Sequence, residues 1–483
     1  MQLTKLERTH RIDSEFYSKE NLKFDKWISS VNHLPLTKIS NVSDGNHMAI
    51  SEKFIEKGIP YYRGQNIHSF FIEDTDPICI DEKTYSLSTM KRSHLKKGDV
   101  LLSIVGTIGG ISLVTTDNKA TCNCKLAILR KNGEVNEKYL AIYLSCRYGQ
   151  SQIERYIRGA VQKGLILEDM DQLSVPIMSF DFQNKIASLV IEAKTKNGCS
   201  KEKYNQAENL LISELGLKNF NPSNEKVSIK TLKESFLRTG RIDSEYYQPK
   251  YDDYLKKVFS YSNGYELLGE CCNIKDKNFM PKDEEEYRYI ELANVRNNAQ
   301  ISDCDVLLGK ELPTRAKRKV NTGDVIVSSI EGSLESCALI TEEYNNSLCS
   351  TGFYVVNSEK LNSESLLTVF KSSLMLNLMK KGCSGTILTN IAREEFAKLP
   401  IPLLKQGVQD EIASYIKQSM EYSKKAKELL EISTKSVEIA IDKDETAAHN
   451  FLEQNRTEQN RTEQNRTEQN RTEQNRTGSN CLL

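Results

Sequence analysis

Arg11-Ile-Asp-Ser-Glu-Phe-Tyr17 and Arg241-Ile-Asp-Ser-Glu-Tyr-Tyr247 are one seven-residue motif written twice, with a single conservative exchange, about 230 residues apart. Unrelated segments do not share such a run. A unit written twice implies two similar domains related by a pseudo-twofold axis. The commonest partner with a dyad of its own is duplex DNA.

The duplication reaches beyond the motif. Gly98-Asp-Val-Leu-Leu-Ser103 is matched by Gly323-Asp-Val-Ile-Val-Ser328, and Val175-Pro-Ile177 by Ile401-Pro-Leu403. Gln183, Ile186 and Ala187 are matched by Gln409, Ile412 and Ala413. Anchors in one order at nearly one spacing imply duplication with small loop changes. Between anchors the halves differ freely: residues 66–81 and 294–310 share little but an extended, β-branched character. The scaffold is expected to repeat and the surface to differ.

At 483 residues the chain is long enough for two or three domains, each with its own core. Its 66 basic residues balance 66 acidic ones, so no global field announces a nucleic-acid partner, and any basic face must be local. Twelve cysteines stand without paired metal spacing: Cys122-Asn-Cys124 and Cys271-Cys272 lack a second pair or histidines. They read as reduced thiols. The first ten residues are charged, without the apolar centre of a signal peptide, and no apolar run approaches the roughly 20 residues that cross a bilayer. A soluble, cytoplasmic protein is expected.

In the first unit, strands are expected at Ile59–Ile67, Asp99–Ser103 and Ile111–Thr115, a helix at Lys138–Ile157 and a helical turn at Glu168–Leu173. The second unit repeats them, with strands at Glu285–Val295, Asp324–Ser328 and Cys337–Thr341 and a helix at Ser363–Lys381. Each unit then closes with a long helix. Ile186, Val190, Ala193, Asn197, Ser200, Tyr204, Ala207 and Leu211 are spaced alternately four and three. Ile412, Ile416, Ser419, Ser423, Ala426, Leu430, Ser433, Val437 and Ala440 continue the same register in the second copy.

Such spacing is a coiled-coil seam. Each helix could pack on its own domain alone, but the matching registers favour mutual, antiparallel pairing. A helix over 183–216 is about 50 Å long, the length of roughly 15 base pairs. The expected fold class is α+β: two similar mixed domains, 1–182 and 218–409, separated by helices at 183–217 and 410–446, with a tail at 447–483.

Basic residues gather before the repeated Gly-Asp: Lys91, Arg92, Lys96 and Lys97 in the first half, Arg315, Lys317, Arg318 and Lys319 in the second. Arg155, Arg158 and Lys163, and then Lys380 and Lys381, flank glycine-rich segments. These cations are candidates to neutralise phosphates, against the plainer reading of solvated loops. Base reading needs paired donors or acceptors, which makes Arg63, Gln65, Asn66, Arg288, Asn294 and Arg296 candidates. No phosphate-binding glycine loop, dinucleotide fingerprint, amino-methyltransferase run or nucleophile elbow occurs, so no catalytic or metal-ligating residue is assigned.

Taken together, Arg241–Tyr247, the run Gly98-Asp-Val-Leu-Leu-Ser-Ile-Val-Gly-Thr-Ile-Gly109, and Leu399-Pro-Ile-Pro-Leu403 leading through Gln409 into a long helix resemble the specificity subunit of Type I restriction–modification enzymes. The resemblance covers roughly residues 1–445. It implies two target-recognition domains, each reading half of a bipartite DNA site, and paired helices as spacer and docking platform for two modification subunits. Those subunits would carry S-adenosylmethionine, and restriction subunits would add ATP and Mg-dependent translocation and cleavage; this chain itself would bind no cofactor. The second half departs from the glycine pattern, with Ser329-Ile-Glu-Gly332-Ser-Leu-Glu335 in place of Ile104–Gly109. The competing readings are a self-contained DNA-modifying enzyme and a coiled-coil scaffold that binds protein only.

Residues 453–477 are five copies of Glu-Gln-Asn-Arg-Thr, polar and without core-forming residues. That pentapeptide can be encoded by a five-nucleotide repeat read through all three frames. Slippage there would alter the chain only beyond the second long helix, and varied codons across the copies would exclude it.

Overall fold

Val100–Ser103 and Val325–Ser328 are buried at every position, as befits central strands whose residues do not alternate. In the computed structural model, which describes residues 14, 16–133, 135–159, 163–225, 227–295, 299–302, 304–385 and 389–457, each of these strands centres one of two matching sheets. Residues 11–13 and 15 of the first motif copy, Arg296, and the tail from 458 onward lie outside the described residues.

In the first unit, Ser40–Asp44, Leu126–Lys131, Val100–Ser103 and Ile111–Leu113 lie side by side, all antiparallel. A second sheet orders Phe54–Ile55, Ile78–Ile80, Ile59–Tyr62 and Thr121–Cys122, the last pair parallel. The second unit has Asn273–Lys275, Phe353–Asn357, Val325–Ser328 and Cys337–Leu339 in the same antiparallel order. Its second sheet orders Val306–Leu308, Glu286–Ile290, Leu348–Ser350 and Ala316–Lys319, and Glu286–Ile290 again meets its neighbour Leu348–Ser350 in parallel. The units differ at the edges. Ala316–Lys319 has only the single bridge His94–Thr121 as its counterpart in the first unit. The expected duplication is therefore one of strand order as well as of motif.

The helices expected at 138–157 and 363–381 each divide in two, as Glu137–Ser145 with Arg147–Tyr156 and Ser363–Lys371 with Ser373–Gly382. Cys146 and Ser372 turn extended between them, at matching places. In the first unit Gly149 makes the turn possible, since a Cβ there would stand 2.3 Å from the Tyr143 carbonyl oxygen. The helical turn expected at 168–173 is a 3-10 turn, Leu167–Gln172.

Two long helices, Phe180–Glu214 and Gln406–Asp442, follow the strands Ser174–Pro176 and Pro400–Pro402, which pair with His33–Pro35 and Tyr265–Leu267 respectively. The chain divides into units of 1–196 with 425–483, and 197–424. The division falls inside both helices rather than at their ends, because each helix packs into two cores in succession. In the first unit Ile186, Val190 and Ala193 share a core with Leu429, Val437, Ala440 and Ile441. In the second, Ala207 and Leu211 share one with Ile412 and Ile416.

Within the second unit the helices run antiparallel. Ser200 faces Ser419, Lys203 lies over the Tyr415 ring, and Glu214 meets Lys405 at 3.5 Å. Ser419 Oγ donates to the Ser200 carbonyl at 2.8 Å, so the Ser200 hydroxyl supplies the proton of their 3.1 Å contact. Of the expected seam, Ala426 is buried, while Tyr204 and Leu430 are only half-buried. Leu429 takes the core position beside Leu430, because this helix packs on its globular unit as well as on its partner. No helix among the described residues is long and apolar enough to cross a membrane.

Candidate nucleic-acid interface

The repeated Gly-Asp is a turn, built the same way twice. Gly98 and Gly323 have φ of 89° and 87°, where a side chain is strained. Asp99 and Asp324 are buried, and each carboxylate accepts the backbone N–H three residues earlier, from Lys96 and Asn321, at 2.8 Å. Arg130 donates twice to Asp99, at 2.7 and 2.6 Å, and this bonding raises the guanidinium pKa. In the second unit Lys275 and Asn357 donate to Asp324, at 2.7 and 2.9 Å. The counter-cation thus comes from a different strand in each unit, while the buried carboxylate is satisfied in both.

That turn displays the first basic cluster. Lys91, Lys96 and Lys97 are exposed and have no carboxylate partner among the described residues, while Arg92 is ion-paired to Asp44. In the second unit Arg315 is exposed, and Lys319 lies 5.3 Å from the Phe279 ring centre. Lys317 is half-buried, and Arg318 has an enclosed Nη1 that meets no acceptor.

A second rim forms where the strands end. Thr107 donates to the Gly64 carbonyl at 3.3 Å, Ile104 N–H reaches the Lys125 carbonyl at 2.9 Å, and the Arg158–Gly164 bridge pairs onward with Val105. Arg63, Gln65, Lys125, Arg158 and Lys163 therefore belong to one rim. Arg158 is tied to Asp169 at 2.6 Å; Lys125 and Lys163 are exposed, without a described carboxylate partner. The matching rim of the second unit gathers Glu291, Glu331 and Arg315 around Gly352: the Gly352 carbonyl accepts the Ser329 N–H, and a Cβ at Gly352 would meet the side chains of Leu292 and Ile330, next to Glu291 and Glu331. Thr351 N–H donates to the Arg315 carbonyl, Glu331 N–H to that of Thr389, and Lys380 stands 3.8 Å from Glu331. Its loop departs from the glycine pattern as expected: Glu331–Ser333 winds as a 3-10 turn, where Gly106 and Gly109 take φ of 89° and 92°.

Several sequence candidates have other work. Asn66 and Asn294 occupy equivalent turns, and each side-chain oxygen accepts the backbone N–H three residues earlier, of Arg63 and Glu291, at 2.8 Å. Asn66 is also buried and donates to the Asp76 carbonyl. Both asparagines hold the backbone of their turns.

Arg155, a candidate phosphate contact in the sequence, is buried, ion-paired to Asp25, hydrogen-bonded to the Phe16 carbonyl at 2.9 Å and stacked on the Phe16 ring. Lys381 likewise covers the Tyr246 ring, and burial lowers its pKa. Arg288 donates to the Glu343 carbonyl at 2.6 Å and lies over Tyr344. Within the motif, Arg241 is forked to Asp243 at 2.8 and 2.6 Å and donates to the Cys383 carbonyl at 2.9 Å. The motif is a clasp on the end of the Ser373–Gly382 helix. Glu291, which no pattern in the sequence marked, emerges only because strand order aligns it with Arg63.

The fold and this surface define a class: a duplicated α+β chain with cationic turns and unlike strand-end rims. Residues 265–434 match the family model described as the Type I restriction modification DNA specificity domain. The specificity subunit of the Type I restriction enzyme EcoBI from Escherichia coli is 32% identical over 103 residues, 21% of this chain and 21% of that protein. The match thus spans about a fifth of that relative's length.

Among solved structures, the Type I restriction–modification S subunit from M. genitalium is 13% identical, with 83% of this chain and 94% of that one covered at a TM-score of 0.39. The HsdS subunit from Thermoanaerobacter tengcongensis is 13% identical, with 86% and 97% covered at 0.29. At such scores the superpositions establish no shared fold.

Proposed function

We propose that the chain is the non-catalytic, sequence-specific DNA-binding subunit of a cytoplasmic Type I restriction–modification complex. Each unit reads one half of a bipartite target. One strand order recurs in both units, and residues 265–434 match the model of a DNA specificity domain; that observation carries the reading. Exposed Lys91, Lys96 and Lys97 neutralise phosphates, while the strand-end rims approach base edges. Two modification subunits bring S-adenosylmethionine and methylate adenine, and restriction subunits bring ATP and Mg. Among the described residues no cluster of three or more His, Cys, Asp or Glu is placed to hold a metal ion.

The test is binding of the full chain to duplex DNA across a salt series, with and without its modification partner, followed by mapping of methylated adenines. Salt-dependent binding and a two-part methylated site are expected. Methylation by the purified chain alone would make it an enzyme, and absence of DNA binding in the complex would leave a protein-binding scaffold.

A further inference from the structure

We propose that the residue following one equivalent strand in each unit, Arg63 in the first and Glu291 in the second, selects the base its unit accepts. The two half-sites are then read with opposite hydrogen-bond polarity. The assignment rests on the DNA-specificity reading above and adds to it the chemistry of each half.

The equivalence is structural. Ile59–Tyr62 and Glu286–Ile290 each pair in parallel with a strand, Thr121–Cys122 and Leu348–Ser350. Each is followed by a 3-10 turn closed by an asparagine, which holds the N–H of Arg63 or Glu291 at the same 2.8 Å. The backbone is thus presented alike, and only the side chain differs.

A guanidinium offers donors alone and a carboxylate acceptors alone. Arg63 Nε is enclosed and meets no acceptor, a condition that calls for a partner. Its rim adds the exposed cations Lys125 and Lys163, suited to the adjoining phosphates. Paired acceptors on a base edge belong to guanine, at O6 and N7. Glu291 is exposed on a rim with Glu331. It repels base acceptors and fits the amino group of cytosine, whose major-groove edge is a donor; adenine sets an acceptor beside its amino group. Arg315, exposed on that rim, offsets the repulsion between the carboxylate and the DNA backbone.

The experiment uses the full chain assembled with its modification partner, methylated adenines being mapped on genomic DNA. Glu291→Gln keeps the shape and replaces one acceptor with a donor. It is expected to relax one cytosine position in one half of the target, by roughly tenfold or more in relative methylation. Arg63→Gln is expected to relax one guanine position in the other half. If Arg63→Gln does not fold, Arg63→Lys keeps the charge, loses the paired donors and is expected to relax the same position. Base preferences unmoved in both halves by the Glu291 and Arg63 variants would overturn the assignment while leaving the specificity reading intact. A wild-type complex that marks no defined site would overturn that reading, and the assignment with it.

Discussion

The Lys381 ammonium lies 4.4 Å from the centre of the Tyr246 ring, and at the matching place in the first unit the Arg155 guanidinium lies 4.1 Å from that of Phe16. Each ring belongs to one copy of the motif that first betrayed the duplication, and each cation comes from the end of the second of two successive helices, Arg147–Tyr156 and Ser373–Gly382. A positive charge over an aromatic face is attracted by the ring quadrupole, more so where water is excluded. In both halves a ring of the motif thus packs on the cation at a helix end.

Arg155→Met should therefore destabilise the first unit by about 2 kcal/mol, the scale of a lost hydrogen bond to a charged group. Urea unfolding measures the loss. The salt slope of DNA binding should stay as in wild type, and a slope lower by about one would return Arg155 to the phosphate contacts.

Burial depresses the Lys381 pKa, so the fold disfavours its charged form. The sign comes from linkage. Between the lowered folded value and the ordinary lysine value near about 10.4, the unfolded chain binds more protons, and stability rises with pH there. Below the folded value both states are protonated and the penalty is fully present. Lys381→Met should lack this rise when denaturant midpoints are compared from neutral pH to about pH 10.

Lys96→Ala with Lys97→Ala should weaken binding to every duplex sequence alike and lower the slope of log K against log salt by about two. An unchanged slope removes these lysines from the interface. Methylation mapping should show the same target as wild type.

Asn66→Ala should cost about 1 to 2 kcal/mol, since the Arg63 N–H loses its acceptor as at a lost helix cap. Base preference should persist in the protein that remains folded. A changed target with unchanged thermal stability would make Asn66 a reader after all.

Leu429 is 2% exposed, whereas Leu430 is half-buried against the same core. Leu429→Ala should cost about 2 to 5 kcal/mol and Leu430→Ala distinctly less. Equal losses would restore the simple four-three seam through Leu430.

Much of the scaffold was legible in the chain. Val100-Leu-Leu-Ser103 and its copy announced strands because an apolar run after a Gly-Asp turn has few alternatives. The long helices were legible from periodicity, and Ile186, Val190, Ile412 and Ile416 are buried as that periodicity requires. The candidate site was less legible. Arginine and asparagine serve equally as readers, caps and ion-pair partners, and spacing does not separate these uses. Only the positions of Asp25 and Phe16 show that Arg155 is occupied in the core.

By itself the sequence determined that one unit is written twice, where the strands after the Gly-Asp turns begin and which helical faces are apolar; local geometry and side-chain period decide all three. Tertiary structure decided what lies far along the chain. It drew the unit boundaries inside the two helices, set Arg155 on Phe16 and Lys381 on Tyr246, and aligned Arg63 with Glu291 across segments whose shared residues are few, Tyr61 with Tyr289 and Asn66 with Asn294. The reason is physical: a helix or strand is chosen by neighbouring residues, but a partner for a charge is chosen by whatever strand pairing brings beside it.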